Sequence, residues 1–230
     1  MSPGISENLA AVQKRIDAAA ERSSRSSDEI RLVAVSKTHP VPVLRAAIEA
    51  GIIVFGENKV QEAEGKVTEI GRDTVQWHLI GHLQSNKARK AVRLFDVIQS
   101  VDSTDLARRL ERTCEEEGRG SLSVLVQLDL AGEGSKSGIP ETDLPELVEY
   151  LGRCKRLVFD GFMIVPPFFD DPEAARPFFT RLRELRDRYR PGGELSMGMS
   201  HDFEVAIEEG ATIVRIGTAI FGQREYGVGR

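Results

Sequence analysis

Lys37 closes the run Arg31-Leu32-Val33-Ala34-Val35-Ser36-Lys37, ahead of Thr38-His39-Pro40. Four apolar residues in a row read as a strand buried on both faces, and the proline stops it. An amine at the end of such a strand is costly to bury as a cation. Burial lowers its pKa, which makes it a better nucleophile toward a carbonyl. Lys37 is therefore a candidate Schiff-base lysine. The competing reading is a rim lysine with a packed stem and its ammonium in water. A second cation, Arg215, lies near the end of the last apolar run, Thr212-Ile213-Val214-Arg215-Ile216-Gly217. Ser200 precedes a helix-like start, His201-Asp202-Phe203-Glu204, and reads as near its N-cap. A helix N-terminus beside the bare backbone of Gly217-Thr218 would make a phosphate cup. The alternative is a serine that only caps its own helix. His78 is either a site residue or a satisfied core histidine. Asn58, His82, Met163, Pro166-Pro167 and Ser196 also follow or end apolar runs. Lys136, in a glycine-rich loop, is either a ligand clamp or an exposed loop lysine.

These residues have to be positioned by the elements between them. A leading helix over 5–22 places Ile5, Leu9, Val12 and Ile16 on one face, with Ser6 as its N-cap. Strands are then expected at 31–37, 52–55, 75–80, 97–101, 123–130, 157–165, 194–197 and 212–217. Helices are expected at 41–50, 59–70, 86–94, 104–117, 142–152, 172–189 and 201–209. The last strand has no helix after it, and the tail from Phe221 to Arg230 reads as loose. Alternating strand–helix units imply a parallel sheet. Eight of them favour a single (β/α)8 TIM barrel, α/β in class, with an extra N-terminal helix. An open dinucleotide-binding sheet is the alternative, but no GxGxxG follows the first strand. Nothing in the composition breaks the chain, so residues 1–230 are read as one domain. In a closed barrel the first and last strands are neighbours. Lys37 and Arg215, both on the odd-numbered face of their strands, then share the C-terminal mouth where such barrels keep their sites. Two adjacent cations repel, and an anionic ligand or a neutral imine on the lysine relieves that.

Composition narrows the function. A hydrophobic share of 40% and a charged share of 29% suit a globular chain with a core. Net charge is −5, which argues against a nucleic-acid or anionic-membrane partner. The run Lys87-Ala88-Arg89-Lys90 then reads as a solvated helix face. No apolar run approaches the ~18 residues of a membrane span, and Met1 to Arg15 show no secretory pattern. Cys114 and Cys154 read as reduced thiols of a cytoplasmic protein. No His/Cys cluster has metal-ligand spacing, so no metal is expected.

Several long motifs, in order, resemble one family. They are Val35-Ser36-Lys37-Thr38, Phe55-Gly56-Glu57-Asn58-Lys59-Val60-Gln61-Glu62, Trp77-His78-Leu79-Ile80-Gly81-His82-Leu83-Gln84-Ser85-Asn86-Lys87, Leu195-Ser196-Met197-Gly198-Met199-Ser200, and Val214 to Gly222. Together they are similar to the pyridoxal phosphate homeostasis protein family, over about residues 5 to 222. Phe162-Met163-Ile164-Val165 and Leu128-Asp129-Leu130 depart from the family pattern in the pocket wall. The resemblance implies an alanine-racemase-type barrel that binds pyridoxal 5′-phosphate (PLP). It implies Lys37 as the Schiff-base lysine and Arg215 against the pyridine nitrogen. It places Ser200, Gly217 and Thr218 on the phosphate with Ser196 nearby, and Asn58 and His78 along the cofactor's other side. No catalytic residue is assigned. Arginine stays protonated, so an arginine at the ring nitrogen disfavours a protonated ring and its electron-sink chemistry. Alanine racemases add a domain that supplies a tyrosine. Here Tyr150 and Tyr189 fall on outer helices and Tyr226 in the tail. The expectation is a non-catalytic, monomeric PLP carrier that takes part in PLP homeostasis and hands PLP to PLP-dependent apo-enzymes. A PLP-dependent racemase-like enzyme, completed by another chain, is the alternative.

Overall fold

The computed structural model describes residues 4–132 and 137–222. The barrel begins with β1 (Arg31–Val35), β2 (Val54–Glu57), β3 (Gln76–Leu79), β4 (Val97–Val101) and β5 (Leu122–Asp129). A two-residue strand, β6 (Ile139–Pro140), precedes β7 (Leu157–Ile164), β8 (Glu194–Met199) and β9 (Ile213–Ile216). All pairings are parallel, and β1–β9 and β4–β5 close the ring. Eight strands form the barrel. β6 lies on β5 beyond the last residue that β4 pairs, at Leu128 and Asp129.

Helices α1 (Ile5–Arg22), α2 (Val41–Glu49), α3 (Val60–Ile70), α4 (Ala88–Leu94) and α5 (Thr104–Glu116) lead into α6 (Leu144–Leu151), α7 (Arg176–Tyr189), α8 (Phe203–Glu208) and α9 (Thr218–Phe221). The extra helix α1 buries Val12, Ile16, Ala19 and Ala20, a single stripe at helical spacing. It is fastened to the end of the barrel through Arg15–Glu204, Arg22–Glu208 and Asn8 Nδ2 donating to Ile220 O. Among the described residues, no helix is long and apolar enough to cross a membrane. The basic run is a paired surface face: Arg89 meets Glu116 and Glu117, and Lys90 meets Glu64.

Two kinds of core follow from strand alternation. The large one lies between strands and helices and includes Phe55, Trp77, Phe95, Phe162 and Phe179. A small one, Val33, Val54, Leu125 and Ile213 with Val97 against it, plugs the barrel interior. One pleat further along the same strand faces, Val97 gives way to Gln99, Leu125 to Gln127, and Ile213 to Arg215. The interior therefore turns from apolar to polar within a single layer, toward the C-terminal mouth.

Three expected details differ. α1 starts at Ile5 with Gly4 as N-cap, and Glu7 accepts from the Gly4 N–H; Ser6 lies inside the first turn. β1 ends at Val35, so Lys37 sits in a turn rather than on the strand. Thr38 there has φ +68°, a left-handed conformation that is strained for a β-branched residue. β9 does carry a helix after it, α9, which takes in Phe221. Lys136 and Tyr226 lie outside the described residues.

Candidate cofactor site

Arg215 is the structural centre. It is 3% exposed, in register with Val33 of β1. Its Nη1 donates to Ser196 Oγ at 2.6 Å and its Nη2 to Ile164 O at 2.7 Å. Both acceptors are neutral, and a guanidinium carries more N–H donors than these two use. Burial lowers its pKa to about 10, with Asp202 opposing, so it remains a cation at neutral pH.

Arginine can only donate, which leaves the Ser196 proton free to point onward, and the Gln99 amide then sets the direction of a chain of hydrogen bonds across the barrel. Ser196 accepts from Arg215 and passes its own proton to Gln99 Oε1 at 2.6 Å. Gln99 Nε2 then donates to His78 Nδ1 at 2.8 Å. His78 therefore carries its proton on Nε2, which is buried with no hydrogen-bond partner among the described residues. Burial foremost, then Arg31, pushes the His78 pKa down to about 4. The ring is neutral, and His78 is in part the core histidine of the bland reading, tied to the site through Gln99.

This histidine makes a pH prediction. Its folded pKa lies below the ordinary 6.5, so between those values the unfolded chain binds the extra proton. Stability from this group is complete above pH 6.5 and falls as the pH drops toward 4. The full loss is about 3 kcal/mol. Urea midpoints measured down that range should fall for the native chain, and His78→Gln should remove that part of the slope. Equal slopes in the two proteins would contradict a neutral buried His78.

The phosphate-cup residues are assembled differently from the local reading. Asp202, not Ser200, is the N-cap of α8, and its Oδ1 accepts from Met199 N at 2.6 Å. Ser200 Oγ instead accepts from the backbone N–H groups of Gly217 and Ala219, at 3.3 and 3.4 Å. Ser200 thus reaches across to the adjacent strand end, at the first turn of α9, where Thr218 is exposed. Both contacts are long for N–H···O bonds, so an anionic oxygen there would compete with the hydroxyl for the same donors. A Cβ on Gly217 would come within 3.3 Å of Val35, which keeps this approach bare. Ser196 belongs to the Arg215 end and not to this cup.

Lys37 is half-buried on the turn after β1, between β2 and β9. Asn58 follows β2, and its backbone packs on Gly81: a Cβ at Gly81 would fall 2.2 Å from Asn58 O. That contact holds the exits of β2 and β3 together. His82 pairs with Asp102 at 3.0 Å on the same rim. Tyr150 and Tyr189 sit on α6 and α7, in the outer layer. Gln99 was missed in the sequence. Its signal was a polar residue inside an apolar strand, on the interior parity set by Val97.

With this geometry in place, comparison with known proteins gives the class. Residues 8–225 match the alanine racemase N-terminal domain family. The alanine racemase of Corynebacterium glutamicum superposes with TM-score 0.64 at 16% identity, over 96% of this chain and 63% of that one, a likeness of fold. The barrel is thus of the alanine racemase N-terminal type. Within that class, a pyridoxal phosphate homeostasis protein of Aquifex aeolicus is 41% identical, covering 96% of this chain and 98% of its own. Its Escherichia coli K12 counterpart is 43% identical over 96% and 97%. PipY of Synechococcus elongatus, solved with PLP bound, has TM-score 0.82 at 39% identity over 95% of this chain and 100% of its own. This chain belongs to the pyridoxal phosphate homeostasis protein family.

Proposed function

We propose that this protein binds PLP covalently through Lys37 and serves PLP homeostasis and delivery without turning over amino acids. The observation that carries the reading is Arg215, a buried guanidinium held by neutral acceptors on the strand next to the Lys37 strand. A buried cation whose hydrogen-bond acceptors among the described residues are both neutral calls for an electron-rich ligand group. The residues present fit PLP at both ends. Arg215 would donate to the pyridine nitrogen, with Ser196 orienting it, and Ser200 with the Gly217 and Thr218 backbone would hold the phosphate. Asn58 and His78 would line the remaining wall, His78 acting through Gln99.

When bound, PLP supplies an aldehyde that condenses with an amine to a Schiff base and exchanges it for another. Lys37 provides the amine. Arg215 brings a proton it does not release at neutral pH, so the ring nitrogen gains a hydrogen bond rather than a charge. That suits holding and passing on the cofactor. A racemase needs a second acid–base group opposite the lysine, and Tyr150 and Tyr189 lie on outer helices. The same reading makes the protein a cytoplasmic monomer whose recipients are PLP-dependent apo-enzymes.

The test mixes the PLP-loaded protein with an apo-enzyme and follows recovered activity, with alanine racemisation by the protein alone measured alongside. Recovery with no racemisation is expected. Steady racemisation would overturn the non-catalytic reading, and a failure to restore activity would overturn delivery.

A further inference from the structure

The wall of the barrel behind Lys37 holds a buried charge cluster that the cofactor site itself does not use. Lys66, on α3, has a side chain only 7% exposed. Its ammonium donates to Glu57 Oε1 at 2.7 Å, to Glu62 Oε1 at 2.7 Å and to Ser36 O at 2.8 Å. An ammonium has three protons, so Lys66 is saturated. The two carboxylates carry the contact onward. Glu57 Oε1 accepts from Ser36 Oγ at 2.5 Å, and Glu62 Oε1 accepts from the Thr38 backbone N–H. Burial raises the Glu57 carboxyl, while the bonds from Lys66 and Thr38 outweigh burial and lower Glu62.

Every end of this cluster lands on a residue flanking Lys37. Ser36 is gripped through its carbonyl and its hydroxyl, and Thr38 through its amide. Thr38 is also the residue held at φ +68°. A β-branched residue keeps such a conformation only where its surroundings over-determine it. We infer that Lys66, with Glu57 and Glu62, is a positioning clamp that holds the strained Ser36–Thr38 turn and so aims the Lys37 amine at the incoming aldehyde. This rests on Lys37 being the PLP lysine. The clamp touches backbone and side chains on the outer side of the wall, and Lys37 acts on the other.

The variants are Glu62→Ala, Glu62→Gln and Lys66→Met. Lys66→Met leaves two carboxylates without their cation, a loss that threatens the fold itself, so the decisive variants are those at Glu62. Glu62 is partly exposed on a helix, so Glu62→Ala keeps a folded protein. Three quantities are read: thermal midpoint, hydrogen exchange at the Thr38 amide, and the rate at which Lys37 captures PLP, fixed by borohydride and located by peptide mass spectrometry. A fourth arm needs no PLP: reductive methylation of Lys37 relative to Lys14 on α1. For Glu62→Ala, Thr38 loses protection and capture slows roughly ten- to hundredfold, the scale of a misplaced reacting group, with the midpoint near that of the native protein. Glu62→Gln, which keeps an acceptor oxygen for the Thr38 amide, restores most of the rate. If Glu62→Ala exposes the Thr38 amide yet captures PLP and methylates Lys37 at native rates, the clamp is wrong. If the native protein carries no label on Lys37, it is the lysine assignment that fails, and the methylation arm still reads the clamp.

Discussion

Lys37→Ala is expected to abolish covalent capture of PLP while leaving the fold intact. Borohydride treatment should then leave no pyridoxyl label at this site, the visible band of the lysine adduct should vanish, and dialysis should strip the cofactor. The fold expectation comes from position. Lys37 is half-buried on a turn beyond β1, and the turn's backbone is held through Ser36 and Thr38. A substitution of that kind changes stability by about 0.5 kcal/mol or less, a shift of about 2 °C or less for a chain of this size. Weak binding should survive, because Arg215 and the Ser200–Gly217–Thr218 backbone remain. Absorbance and label that persist undiminished in Lys37→Ala would mean another amine holds PLP. A collapse of the thermal midpoint would mean that Lys37 is a structural residue first.

The barrel was legible because its signals are local. Eight apolar runs alternate with amphipathic stretches, and each boundary could be read within a few residues. The adjacency of the strands that lead to Lys37 and carry Arg215 was legible too, since closure makes the first and last strands neighbours. The register Val33↔Arg215 bears out the adjacency. It also puts Lys37 four residues past the β1 position level with Arg215, in the turn beyond the end of the strand, so the two backbone positions are not side by side. What escaped was long-range. Ser200 looked like the cap of the next helix, but Asp202 lies two residues closer to α8 and takes that place. The Ser200 hydroxyl was left for amides at Gly217 and Ala219. Gln99 signalled only polarity on an interior position; its role depends on His78 and Ser196, which lie on β3 and β8. Lys66 sat in the helix expected at 59–70, whose residues are mostly polar. Its burial depends on Glu57 and on the Ser36 carbonyl, which reach it only after β1, β2 and α3 pack.

Arg215→Met should separate the cofactor's needs from the fold's. Replacing a buried cation by an apolar side chain of similar length is often neutral or stabilising by about 1–4 kcal/mol, because the desolvation cost of the charge disappears. Against this, Ile164 O loses its donor, and a buried unpaired carbonyl costs about 1–3 kcal/mol. Ser196 is less affected, since its hydroxyl still donates to Gln99. The two effects oppose each other, so the unfolding free energy should move by no more than about 3 kcal/mol in either direction. PLP has no such compensation. A hydrogen bond from a charged donor contributes about 1.5–3 kcal/mol, so affinity should fall roughly ten- to hundredfold. A second readout reports on the relay. With no arginine occupying one lone pair of Ser196, Ser196 and Gln99 exchange donor and acceptor roles more readily, and His78 is less confined to the Nε2–H tautomer. Nitrogen NMR of His78 should show that single tautomer in the native protein and a mixture in Arg215→Met. If PLP affinity is unchanged, Arg215 does not face the cofactor. If affinity falls while His78 keeps one tautomer, the arginine serves the ligand but does not set the polarity of the chain that ends on His78.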